Sequence, residues 1–245
     1  MQTKWIKPPD KLNLAPNHAD VWRVSLDLSP DTVQWAESTL SADESQRAAR
    51  FRFKTDRHRF TASHACLRDI LARYLHSEPR VIQFVTGKYG KPAILSNVKL
   101  DFNLSHSGDY ALIGIAYEHI LGVDVERFRR DMEHEIIANR FFSEREVSEL
   151  MSLPSGLKAE GFFNCWTRKE AYIKAHGLGL SLPLEDFDVS LAPNEPAILR
   201  ATRPDPQEAS RWTLLSLDVQ PEYAGAVAVE GQGLEFGFWD WNITQ

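Results

Sequence analysis

Polar and apolar positions alternate first between Ala19 and Leu28, where Trp22, Val24, Leu26 and Leu28 share one face, and this period predicts a half-buried strand. A helix capped near Ser29 or Asp31 should run towards Leu40, and Ser41-Ala42-Asp43-Glu44 reads as a capping box opening a second, arginine-rich helix. From Arg59 to His76 the residues Phe60, Leu67, Ile70, Leu71 and Tyr74 recur at helical spacing and mark an amphipathic helix. A strand from Val81 to Thr86 is expected next, then a turn at Gly87 to Pro92. Phe102 to Leu104 leads through Ser105-His106-Ser107-Gly108-Asp109 into the apolar run Tyr110 to Tyr117, which predicts a hairpin.

The second half repeats this order in outline: a helix from about Glu160 to His176, a strand near Phe187 to Leu191, and a hairpin from Trp212 to Val229. Leu104 to Ala116 and Leu215 to Val229 share a Leu-Ser start and a Tyr-Ala strand entry, a repeat too faint to separate duplication from chance. The segment 192–207, with Pro193, Pro196, Pro204 and Pro206, reads as a loop rather than a linker.

Composition narrows the function. The 245 residues, 43% apolar and 25% charged, can build one large core or two modest ones. Twenty-eight basic against 34 acidic residues leave a net charge of −6, which argues against a nucleic-acid partner and confines any phosphate site to a local basic cluster. Cys66 and Cys165 suggest neither a disulfide framework nor a thiolate metal site. The first residues lack the apolar core of a signal peptide, and no stretch is long enough to span a bilayer. A soluble cytoplasmic protein is expected.

In Leu121-Gly122-Val123-Asp124-Val125-Glu126 the strand period sends Asp124 and Glu126 out of the same face. Two adjacent carboxylates repel unless a divalent cation makes the pair favourable, and hard oxygen ligands suit Mg²⁺. A solvated acidic strand face is the plainer alternative. Trp166, Glu170 and Lys174 form one stripe of a helix that Gly177 can end, which a core tryptophan beside a surface ion pair would also explain.

Six segments together resemble the surfactin type of 4′-phosphopantetheinyl transferase. They are Tyr89-Gly90-Lys91-Pro92, Phe102 to Gly108, Gly122-Val123-Asp124-Val125-Glu126, Arg140-Phe141-Phe142-Ser143 with Glu146, Trp166 to Lys174, and Gly177 to Leu184. The resemblance implies an α+β fold of two similar, pseudo-twofold-related subdomains, 1–118 and 119–245, with the active site in the cleft between them. It implies a monomeric enzyme that moves phosphopantetheine from coenzyme A to a serine of an acyl, peptidyl or aryl carrier protein of fatty acid, polyketide or nonribosomal peptide synthesis. Asp124, Glu126 and Glu170 would hold Mg²⁺, with Mn²⁺ as a substitute. Lys91, Ser105, His106, Lys169 and Lys174 would meet coenzyme A phosphates, and Glu146, Glu170 and Lys174 would be catalytic, Glu146 as base. Arg47 and Arg59 are favoured for the 3′-phosphate, although Glu44 and Phe60 depart from the expected lysine and threonine. A relative that binds coenzyme A or carrier proteins without catalysis is the alternative.

Overall fold

Apolar alternation is cashed in layer by layer. The computed structural model describes residues 3–12, 15–129 and 131–241. In the first half, β1 (His18–Ser25) is followed by α1 (Pro30–Thr39), α2 (Ala42–Ala49) and α3 (Lys54–Leu75). Ser29 caps α1, and Ser41 and Glu44 form the expected capping box on α2. A short ribbon, β2 (Phe84–Thr86) with β3 (Pro92–Ile94), precedes the hairpin of β4 (Leu100–Ser107) and β5 (Tyr110–Tyr117). The second half holds β6 (Leu121–Arg127), α4 (His134–Phe141), α5 (Glu144–Ser152), α6 (Lys158–His176), β7 (Phe187–Val189), β8 (Leu199–Thr202), β9 (Trp212–Ser216), β10 (Tyr223–Glu230) and β11 (Glu235–Asp240).

Two main sheets result, ordered β11-β1-β5-β4 and β6-β10-β9. Trp22 and Val24 of β1 and Ala111, Ile113 and Ile115 of β5 pack on Cys66, Ile70 and Leu71 of α3. Val21 and Leu112 point the other way and meet Val123, Val125 and Val227 of the second sheet. The far face of that sheet, with Ala226 and Leu214, packs on Phe162, Cys165 and Ile173 of α6. The order is therefore helix, sheet, sheet, helix, each apolar face covered by the next layer.

This mixed architecture agrees with the expected α+β class. The sheets differ in strand number and order, so their twofold relation remains an expectation of the resemblance. The halves also exchange their ends. β11 lies parallel to β1, and the Thr3 amide and Trp5 indole N–H donate to Asp218 across the second half. A cut at residue 118 therefore does not follow the sheets.

Three local expectations change. Pro79 starts a 3₁₀ turn over Pro79–Val81, so β2 begins only at Phe84. The proline-rich segment contains β8, whose buried Leu199 and Thr202 pair with β7. The third helix starts at Lys54, ahead of the expected Arg59. Among the described residues no helix is long and apolar enough to cross a membrane.

Candidate active site

Gly122 sets the site. A Cβ there would lie 2.1 Å from the Ala171 carbonyl oxygen and 2.4 Å from the Ala175 nitrogen, so only a residue without a side chain lets α6 pass this close over β6. The crossing lays the Glu170 and Lys174 stripe beside Asp124. The Lys174 ammonium stands 2.5 Å from Asp124 Oδ1 and donates to Ser105 Oγ at 2.9 Å, while the Ser105 hydroxyl donates to Asp124 Oδ1 at 2.8 Å.

Asp124 is 3% exposed, and its second oxygen, Oδ2, is buried with no hydrogen-bond partner. Burial, and then the negative charge of Asp124, holds Glu170 above the usual carboxylate range against the pull of Lys174. Burial raises Glu126 as well, with the Ser107 bond opposing and Asp124 adding to it. Among the described residues no group of three His, Cys, Asp or Glu side chains is already drawn together as a metal cage. An orphaned buried carboxylate oxygen, beside two carboxyls whose ionisation is held back, still fits a hard divalent cation in donor chemistry.

The edge of β6 that faces the first half is closed in an unusual way. Leu121, Val123, Val125 and Arg127 donate their backbone N–H groups to Asp101 Oδ2, Asn103 Oδ1, Ser105 Oγ and Ser107 Oγ, at 2.9, 2.9, 3.3 and 3.1 Å. Side chains of β4 thus stand where a neighbouring strand's carbonyls would be.

Beside this seam a cavity of about 1200 Å³ opens, lined by Arg47, His64, Arg68, Arg80, Ser105, His106 and Lys174 among others. Arg47 holds its guanidinium 5.2 Å from the Phe60 ring, and Phe60 stacks on His64 at 4.0 Å. Desolvation, followed by the neighbours His64, Lys174 and Arg59, keeps the His106 imidazole below the usual histidine range although the residue is exposed. Glu44 also lines the cavity. Burial alone would raise it, but bonds from His64, Arg68 and the Ser41 N–H, with the Arg68 charge, take it down to about 2.

Three expected site residues stand elsewhere, and a fourth, Lys91, lines the cleft beside Glu170 and Lys174 with its ammonium already engaged. Arg59 donates to Asp109 Oδ1 at 2.8 Å and lines a separate groove with Gly108, Glu126, Arg127 and Arg129, because the second turn of α3 faces the β4–β5 turn. Lys91 spends its ammonium on Asp101 Oδ2 and the Leu121 and Ala175 carbonyls, at 2.6, 3.1 and 3.1 Å, tying the two halves at the cleft's end. Lys169 is fully buried, donates to the Leu184 and Phe187 carbonyls, and pairs with Glu146 at 2.8 Å. Glu146, 1% exposed, also accepts from the Ser143 and Val189 N–H groups. Neither Lys169 nor Glu146 is brought to the cleft.

Residues 120–228 match the model of the 4′-phosphopantetheinyl transferase superfamily, and residues 27–118 match that of the 4′-phosphopantetheinyl transferase N-terminal region. The 4′-phosphopantetheinyl transferase HetI of Nostoc sp. (strain PCC 7120) is 40% identical over 98% of this chain and 99% of its own length. The chain is a member of the 4′-phosphopantetheinyl transferase superfamily. The transferases Sfp of Bacillus subtilis (32% identical, 82% of this chain and 86% of its own length) and psf-1 of Bacillus pumilus (34%, 80% and 81%) are further relatives. Its activity is phosphopantetheinyl transfer.

Motifs of this transferase include Asn103 and Ser107 but give them no role, and they omit Asp101, the third seam residue, and His64, Arg68 and Arg80 of the cavity wall. One signal was present: polar Asp101, Asn103, Ser105 and Ser107 alternate with Phe102 and Leu104. Nothing local marks the wall residues, which α3 and the 3₁₀ turn Pro79–Val81 bring together.

Proposed function

We propose that the cleft takes coenzyme A as donor and passes its 4′-phosphopantetheine arm to a serine of an acyl, peptidyl or aryl carrier protein, with Mg²⁺ as the metal and 3′,5′-ADP as leaving group. The observation that carries this reading is the unpaired, buried Asp124 Oδ2, whose carboxylate is bonded by Ser105 and Lys174 where these line a large cleft with a cationic wall. Asp124, Glu126 and Glu170 would hold the cation, which when bound neutralises charge on the pyrophosphate.

The residues' own tasks follow from their settings. Lys174, already beside Asp124, has the reach to donate to the phosphoryl group in transfer. His106, on the cavity wall beside Ser105 and Lys174, is placed to meet phosphate as an N–H donor. Arg47, held against Phe60, is the 3′-phosphate ligand favoured here. Lys91, with three donors and three acceptors, is a clasp rather than a ligand. Glu146, saturated by Lys169 and the Ser143 and Val189 N–H groups, is assigned to anchoring rather than to taking the serine proton. Both walls of the cleft come from one chain, which supports a monomer.

The test is the intact mass of an apo carrier protein after incubation with the enzyme, coenzyme A and Mg²⁺. A gain of one phosphopantetheinyl group that EDTA abolishes is expected. An unmodified carrier across fatty acid, polyketide and peptide classes would overturn the reading.

A further inference from the structure

The seam between β4 and β6 does more than close an edge. Ser105 and Ser107 are two positions apart on one strand, and Asp124 and Glu126 are two apart on the other. Each serine accepts the N–H that follows a carboxylate residue and gives its own proton to that carboxylate. Ser105 bonds Val125 N–H and Asp124, and Ser107 bonds Arg127 N–H (3.1 Å) and Glu126 Oε2 (2.7 Å). We propose that Ser107 is a positioning residue for the metal site, fixing the rotamer of Glu126 from the β4 side of the cleft.

Two features hold Ser107 in turn. It pairs with Tyr110 at the end of the hairpin, and the next residue, Gly108, has φ +57° with its α-carbon so close to Tyr223 that a Cβ would come 2.4 Å from Oη. The Asp109 N–H donates to the same Tyr223 oxygen at 3.1 Å. Glu126, only partly buried and repelled by Asp124, would otherwise be free to swing towards Arg129, which lines the same groove and attracts it. A hydroxyl whose own backbone is pinned removes that freedom before any cation arrives, the outer-shell contribution seen at metal sites generally.

The inference rests on the carboxylate reading of the site and needs a measurement separate from turnover. Mn²⁺ binding, read by loss of the free-ion EPR signal on titration into protein saturated with coenzyme A, supplies it. Ser107→Ala and Ser107→Cys should each bind Mn²⁺ about 10-fold more weakly. Ser107→Thr, which keeps the hydroxyl, should match the wild type, and coenzyme A affinity in EDTA should be the same in all. The cysteine variant keeps the bulk and serves if the alanine variant does not fold. Wild-type Mn²⁺ affinity in either the alanine or the cysteine variant overturns the role of Ser107 alone; a wild-type protein that binds no Mn²⁺ overturns the metal reading and this inference with it.

Discussion

Lys169 and Lys174 leave the same helix, each beside a carboxylate, and their environments are opposite. Lys169 is wholly buried, its three protons divided among Glu146 and two carbonyls, and Glu146 is equally saturated by Ser143 and Val189. Lys174 is partly exposed, borders the large cavity, and shares Asp124 with Ser105 while leaving Oδ2 without a partner. The first pair is complete and holds α5, α6 and β7 together. The second is incomplete, and an incomplete polar set bordering a cleft is one that a ligand can finish. Motif reading placed Glu146, Lys169, Lys174 and the cleft in one list; satisfaction of their hydrogen bonds separates them.

The largest effect should come from the incomplete pair. Asp124→Ala is expected to lower turnover about 1000-fold with unchanged far-UV circular dichroism, measured by the rate of mass gain on a carrier protein. Turnover within threefold of wild type would break the contrast. Next, Glu146→Gln should leave a buried ammonium without its counter-charge and cost about 3 kcal/mol in urea unfolding, while turnover per folded molecule stays near wild type. A specific loss of turnover without a loss of stability would return Glu146 to the chemistry.

Glu44 extends the contrast to a saturated carboxylate on the cleft wall. Its folded pKa, about 2 against 4.5, means the contribution is whole above pH 4.5 and fades as pH falls towards 2, about 3 kcal/mol in all. Urea midpoints across that range should show the decline, and Glu44→Gln should flatten it. The smallest effect falls on Gly122→Ala, which must push α6 off β6 and cost about 2 kcal/mol. Its stability loss should be accompanied by slower turnover, because Glu170 and Lys174 ride on the displaced turn.

Local patterns carried much of this from the sequence. The alternation around Asp124 put Leu121, Val123 and Val125 in the core, and of the stripe Trp166, Glu170 and Lys174 the last two line a pocket while Trp166 packs on the core. Ser143-x-x-Glu146 is itself a capping-box pattern, so the structural role of Glu146 was legible beside the functional one. What stayed hidden depends on distant partners. Lys91 finds its acceptors on β4, at the start of β6 and at the end of α6, and no spacing announces that meeting. β11 pairs with a strand at the other end of the chain, and the buried Asp20, which accepts from Tyr74 and Trp239, becomes intelligible only once that pairing exists.

That exchange of strands has a mechanical consequence. β1 and β11 run side by side in the same direction, from His18 opposite Glu235 to Arg23 opposite Asp240, and the Arg23 guanidinium grips both Asp240 oxygens. Tension entering before His18 and leaving after Asp240 would first peel Ile6 from Trp239, then pull the two strands lengthwise past each other. In that direction the hydrogen bonds between them are loaded together instead of opening one after another, so the fold should resist stretching by its ends far better than its modest seam of side chains would suggest.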